Sequence, residues 1–147
     1  VKISRHLLPV ACVIGLIGGS IAYAQSAAVG VAAAVVKEVR LSNAQTPKPK
    51  QVVLRQRIAL GDLIQTGKSS QVQLMLLDRS TLSIGSNASV RIDRFVYDPA
   101  KGRGSTTSVT RGAFRFMSGQ KNKANAATIN SPVGTIGIRG TILEGVV

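Results

Sequence analysis

Histidine and cysteine supply most nucleophilic relays and zinc sites, and this chain of 147 residues has one of each, His6 and Cys12. Both fall in a segment with the order of an export signal. Residues 1–5 are cationic through Lys2 and Arg5, residues 7–17 are apolar, and Ala22-Tyr23-Ala24 precedes Gln25 as a small-residue cleavage site. Pro9, Gly15, Gly18, Gly19 and Ser20 interrupt the apolar stretch, which favours a cleaved signal over a retained anchor. Pro9 also stands three positions before Cys12, where a lipoprotein signal needs a leucine-like residue. Residues 1–24 are therefore expected to leave as a signal peptide. Val1 at the start is consistent with a non-standard start codon or a fragment boundary.

The chemistry left to the mature chain is narrow. Its acids, Glu38, Asp62, Asp78, Asp93, Asp98 and Glu144, are scattered singly, without the alternating carboxylates of a calcium loop. No catalytic residue, metal site or cofactor is expected, and the chain reads as a non-enzyme. Asp62 beside Gly61, and Asp78 before Arg79-Ser80, suit turn carboxylates that accept nearby backbone N–H groups.

Charge is the other chemical resource. Without Lys2 and Arg5 the chain keeps 17 basic against 6 acidic residues, a net charge of +11, which attracts polyanions at low salt. Lys48, Lys50, Arg55, Arg57, Lys68, Lys101, Arg103, Lys121 and Lys123 fall in loop-like stretches. The binding candidates are Arg139, Lys121, Lys123 and Arg103. Gly137-Ile138-Arg139-Gly140 has the spacing of a nucleic-acid GXXG clamp, but that clamp needs flanking helices and the surroundings here alternate like strands. Nucleic acid is further disfavoured because only Phe95, Tyr97, Phe114 and Phe116 remain for base stacking. Outside the inner membrane, anionic envelope polymers and lipid headgroups are the accessible polyanions.

The elements that must position these groups are strands. Val72, Leu74 and Leu76, then Leu82 and Ile84, alternate with polar neighbours across a turn at 78–80, which reads as a hairpin. The alternation resumes at Val90 and Ile92 and at Phe114 and Phe116, between glycines suited to tight corners. Residues 35–41 read as a first strand, with Ala32-Ala33-Ala34 equally able to open a short helix, and residues 42–50, with Pro47 and Pro49, read as an exposed flexible loop. No mature helix longer than two turns is expected. The chain thus divides into a signal peptide (1–24), an N-terminal strand and Pro/Lys loop (25–50), and a β-domain (51–147). The fold class is all-β, a single antiparallel sandwich or rolled sheet. With no cysteine after residue 24, its core must hold without disulfides.

Five pieces in order resemble the FecR-type periplasmic domain. They are Leu60-Gly61-Asp62-x-Ile64-x-Thr66-Gly67, the alternation from Val72 through Asp78 and Ser80 to Ile84, Ser89-Val90-Arg91-Ile92-Asp93, Thr110-Arg111-Gly112-Ala113-Phe114-Arg115-Phe116, and residues 129–141 ending Arg139-Gly140-Thr141. The resemblance spans about residues 51–141 and implies an all-β fold outside the cytoplasm. It also marks Gly61, Asp62, Thr66, Gly67, Asp78, Gly112, Gly140 and Thr141 as structural positions. Members of that family typically relay a signal to a cytoplasmic sigma factor, but only six residues precede Leu7, so that route is not carried over. Relatives often continue beyond the R-G-T segment. A shortened sheet would leave an unpaired edge for another chain.

The expectation is a periplasmic or secreted module that binds a protein partner or senses a ligand in the envelope. The alternative is an envelope component held electrostatically on anionic polymer or membrane.

Overall fold

The computed structural model describes residues 26–98, 100, 102–119, 125–140 and 142–147. The signal segment, Lys121, Lys123 and Thr141 lie outside the described residues, and for Arg103 only the backbone is described. The described chain is built of strands and turns without a helix. In order these are β1 (Ala28–Val36), β2 (Val39–Ser42), β3 (Lys50–Gln51), β4 (Arg57–Ala59), β5 (Leu63–Thr66) and β6 (Gln71–Leu76). There follow β7 (Thr81–Ile84), β8 (Ser89–Asp98), β9 (Gly102–Arg111), β10 (Ala113–Met117), β11 (Asn125–Ser131), β12 (Gly134–Ile138) and β13 (Ile142–Val146).

Alternation decides how they pack. β6 runs exposed-buried three times over, with Val72, Leu74 and Leu76 inward, and β7 opposes it with Leu82 and Ile84. That apolar face is matched by Val39 and Leu41 of β2, Ile64 of β5, Val90 and Ile92 of β8, and Val109 of β9. The result is two stacked sheets, one ordered β13-β10-β7-β6-β1-β4 and the other β12-β11-β9-β8-β5-β2-β3. Each of the fully buried Ile58, Ile64, Leu74, Leu82, Ile84, Ile92 and Ile129 stabilises the fold by roughly 1.5–3 kcal/mol relative to an exposed side chain.

Among the described strands every pair is antiparallel except β9 with β11. The chain leaves β9, crosses to the other sheet as β10, and returns as β11 in the direction of β9. A parallel pair needs such a crossover connection, and here a strand of the facing sheet supplies part of it.

Residues 35–41 are not one strand. Lys37 adopts φ 57, which breaks the segment between β1 in one sheet and β2 in the other. Ala32-Ala33-Ala34 lies in β1 rather than a helix. β1 is hydrogen-bonded to both β4 and β6, and at Gly30 a Cβ would sit 2.4 Å from the Met75 carbonyl oxygen, so the small residues there permit close strand approach. The segment 25–50 therefore contributes strands to both sheets. The proline loop is also tied down: Asn43 and Thr46 exchange a backbone bond of 3.0 Å and an Oδ1 bond of 2.6 Å from the Thr46 N–H.

Strand directions give the sandwich two ends. At one lie the turns β1–β2, β5–β6, β7–β8 and β9–β10; at the other lie β4–β5 and β6–β7.

Candidate functional site

The two ends are held by different chemistry. At the end carrying β4–β5, Gly61 takes φ 84 in the turn closed by the Asp62 N–H on the Ala59 carbonyl at 3.2 Å. Asp62 is buried. Its Oδ2 accepts the Ala59 N–H at 2.7 Å and its Oδ1 accepts Asn43 Nδ2 at 2.8 Å, which fastens the proline loop onto the sandwich. Asp78, also buried, accepts the Ser80 N–H at 2.9 Å and the Ser80 hydroxyl at 2.8 Å. Ser80 Oγ in turn accepts the Gly119 N–H at 3.3 Å. Both carboxylates are thus engaged in turn geometry.

At the other end hydroxyls and carbonyls bind the turns to one another. Thr66 Oγ1 donates to the Gly85 carbonyl at 2.6 Å and accepts the Ala88 N–H at 2.9 Å. Gly67 donates to the Glu38 carbonyl at 2.9 Å, while its own carbonyl accepts from the N–H groups of Ser70 at 3.3 Å and Asn87 at 3.1 Å. Ser70 Oγ accepts the Glu38 N–H at 3.1 Å, Gln51 Nε2 donates to the Lys37 carbonyl at 3.1 Å, and Arg111 Nε donates to the Asn87 carbonyl at 2.8 Å. A Cβ on Gly67 would press on Glu38 Oε2 at 3.1 Å. Gly112, at φ 97, is the corner where the chain passes from β9 to β10, and a Cβ there would meet the Ala88 Cβ at 2.4 Å.

Of the residues singled out for binding, Arg139 alone has a described side chain, and register places it at the same end of the sheet as the Arg103 backbone, since Ile138 pairs with Ala127 and Ala127 with Ser105. Arg139 follows β12 and is exposed. Arg103 lies on β9 opposite Tyr97. Gly140 adjoins Arg139 with nothing within 4 Å of where a Cβ would be. At the hydroxyl-held end the fold brings together Lys37, Arg40, Lys68 and Arg111 from four separate turns and strands. Only Lys68 stood out as a loop cation in the sequence. The others sit in or beside strands, where local pattern carries no sign of their common destination.

Two further surfaces stand out among the described residues. An open depression of ≈ 520 Å³ on the sheet containing β7, β10 and β13 is lined by Gln71, Ser83, Gly85, Phe114, Arg115 and Glu144 among others, with Arg115 and Glu144 paired at 2.8 Å. The second is an edge. β12 and β13 end the two sheets on one flank, and apolar side chains are open beside them: Val133 is 91% exposed, Ile136 45%, Ile142 52% and Val146 81%. β12, Gly134-Thr135-Ile136-Gly137-Ile138, carries neither charge nor proline. Among the described residues no group of three or more potential metal ligands occurs, and no helix is long and apolar enough to cross a membrane.

Comparison with known proteins gives the chain a family. A solved cell surface anchoring domain aligns at 21% identity over 45% of this chain and 86% of its own, with a TM-score of 0.42. No curated protein matches the chain. The family model described as FecR protein matches residues 62–146, from the buried turn carboxylate Asp62 to the end of β13. Its span is more than half of the 147 residues, and it supports an envelope-associated domain. The chain belongs to the FecR family.

Proposed function

We propose that this FecR domain is exported, cleaved after Ala24, and acts in the periplasm or outside the cell as a non-catalytic protein-interaction module. The observation that carries the reading is the uncharged, exposed edge of β12. Natural sheets usually blunt such edges with lysine, proline, bulges or a covering segment, and an open edge with alternating side chains is suited to receive an extended partner strand. Non-catalytic action is supported by the engagement of Asp62 and Asp78 in turn hydrogen bonds.

The test is isolation of the tagged chain from fractionated cells at low and high salt, with its N-terminus read by mass spectrometry. The expected result is an N-terminus at Gln25 and one protein partner retained at both salts, with retention falling at least about tenfold in Ile136→Lys, because a lysine on the edge opposes strand addition. A partner that survives Ile136→Lys unchanged, or an intact N-terminus in the functional pool, would overturn the reading.

A further inference from the structure

The mature chain carries a large positive excess, and the fold does not spread it evenly. Lys37, Arg40, Lys68 and Arg111 are all exposed at the hydroxyl-held end, and only Glu38, ion-paired with Arg40, offsets them there. Their turns are joined through one hydrogen-bond path: Glu38 to the Gly67 backbone and the Ser70 hydroxyl, Gly67 to Asn87, and the Asn87 carbonyl to the Arg111 guanidinium. Lys37 itself is held in a left-handed turn at φ 57 and bonded through its carbonyl to Gln51. The cations therefore project from a rim whose turns are fixed relative to one another, so little backbone ordering remains for a ligand to impose.

Register sets their spacing. Arg40 pairs with Gln65, Gln65 with Ser89, and Ser89 with Arg111, three strand-to-strand steps that span about 14 Å. Lys37 and Lys68 lie at the turns just above this row. A linear polymer with a charge on each sugar can lie along that length and meet cations at both of its ends. Between the cations stand Gln65, Ser69, Ser86, Asn87 and Ser89, whose amides and hydroxyls match sugar hydroxyl groups. No aromatic side chain lies in this row or its turns, which removes the stacking platform that single-stranded nucleic acid uses.

We propose that this rim is a docking site for a linear anionic polysaccharide. The site lies at strand ends and turns, apart from the β12 edge, so polymer and protein partner would occupy different surfaces. Several Lys and Arg contacts to a polyanion give binding that weakens steeply with salt through counterion release. For about four contacts the expected loss between 50 and 200 mM salt is roughly 50-fold.

The exported chain is titrated against polygalacturonate, with vesicles of anionic phosphatidylglycerol as a second arm, at both salt concentrations. Lys37→Asn, Lys68→Gln and Arg111→Gln together remove three rim charges, and asparagine tolerates the left-handed backbone at position 37. The matched variant, Arg55→Asn, Arg57→Gln and Arg79→Asn, removes three charges elsewhere. Thermal melting of each variant verifies that it is folded. The proposal predicts a loss of about 30-fold or more for polygalacturonate in the rim variant and under threefold in the matched variant. Equal losses would overturn it in favour of diffuse net-charge attraction, and binding to vesicles without binding to polygalacturonate would overturn it in favour of a lipid surface.

Discussion

The two ends of this sandwich meet the same requirement with different groups. Where β4 turns into β5 and β6 into β7, buried carboxylates accept the orphaned N–H groups of their own turns. Where β5 turns into β6 and β7 into β8, the neutral hydroxyls of Thr66 and Ser70 bind one turn to the next. A carboxylate accepts several strong hydrogen bonds, but it brings a negative charge with it. A hydroxyl is weaker and adds none. The end fastened by hydroxyls is therefore free to present Lys37, Lys68 and Arg111 with Glu38 as the one nearby counter-charge, whereas the other end holds two of the chain's six acids inside its turns. The two kinds of turn cap thus differ in the charge they bring to their own end.

Substitutions at the two ends sharpen or break this comparison. The largest effect is expected at Gly112, where alanine combines a left-handed backbone with a Cβ overlapping Ala88. Gly112→Ala should cost about 3 kcal/mol or more, from αL strain and overpacking together, measured as a fall in the urea midpoint with unchanged slope. A small cost would mean that the β9–β10 corner yields easily and does not fix the rim. Asp62→Ala comes next, at about 2–3 kcal/mol, since it strands the Ala59 N–H and releases Asn43 from a charged acceptor. Its urea midpoint should drop accordingly, and the loop at 43–49 should become susceptible to protease.

Thr66→Val is expected to be milder, at about 1–2 kcal/mol, because it preserves shape and leaves the Ala88 N–H without its neutral acceptor. The same urea titration compares it with Asp62→Ala. Equal costs at Thr66 and Asp62 would erase the distinction between charged and neutral caps. A Thr66→Val cost above that of Asp62→Ala would reverse it.

Much of the fold is legible in local pattern. The period-two alternation of Val72, Leu74 and Leu76 with Leu82 and Ile84 fixes which side of β6 and β7 is buried, and the turn between them interrupts the alternation visibly. The break at Lys37 is not legible, because a lysine carries no local preference for φ 57 and the flanking valines continue the strand pattern. The parallel pairing of β9 with β11 is equally hidden, since nothing within either strand reports that β10 lies in the other sheet. For the candidate site, composition announces a cationic surface without locating it. Arg139 attracts notice through its Gly-rich surroundings, yet it stands apart from the rim, while Arg111 looks like an ordinary strand residue and its guanidinium braces the Asn87 carbonyl.

By itself the sequence determined that this protein would be all-β, basic, and free of cysteine beyond its first 24 residues, because alternation, charge and composition are properties of short windows. Tertiary structure alone decided that Lys37, Arg40, Lys68 and Arg111 share one rim and that β12 and β13 share one open flank. These are consequences of strand order and register, which depend on how two apolar faces fit together across the whole chain rather than on any local stretch of it.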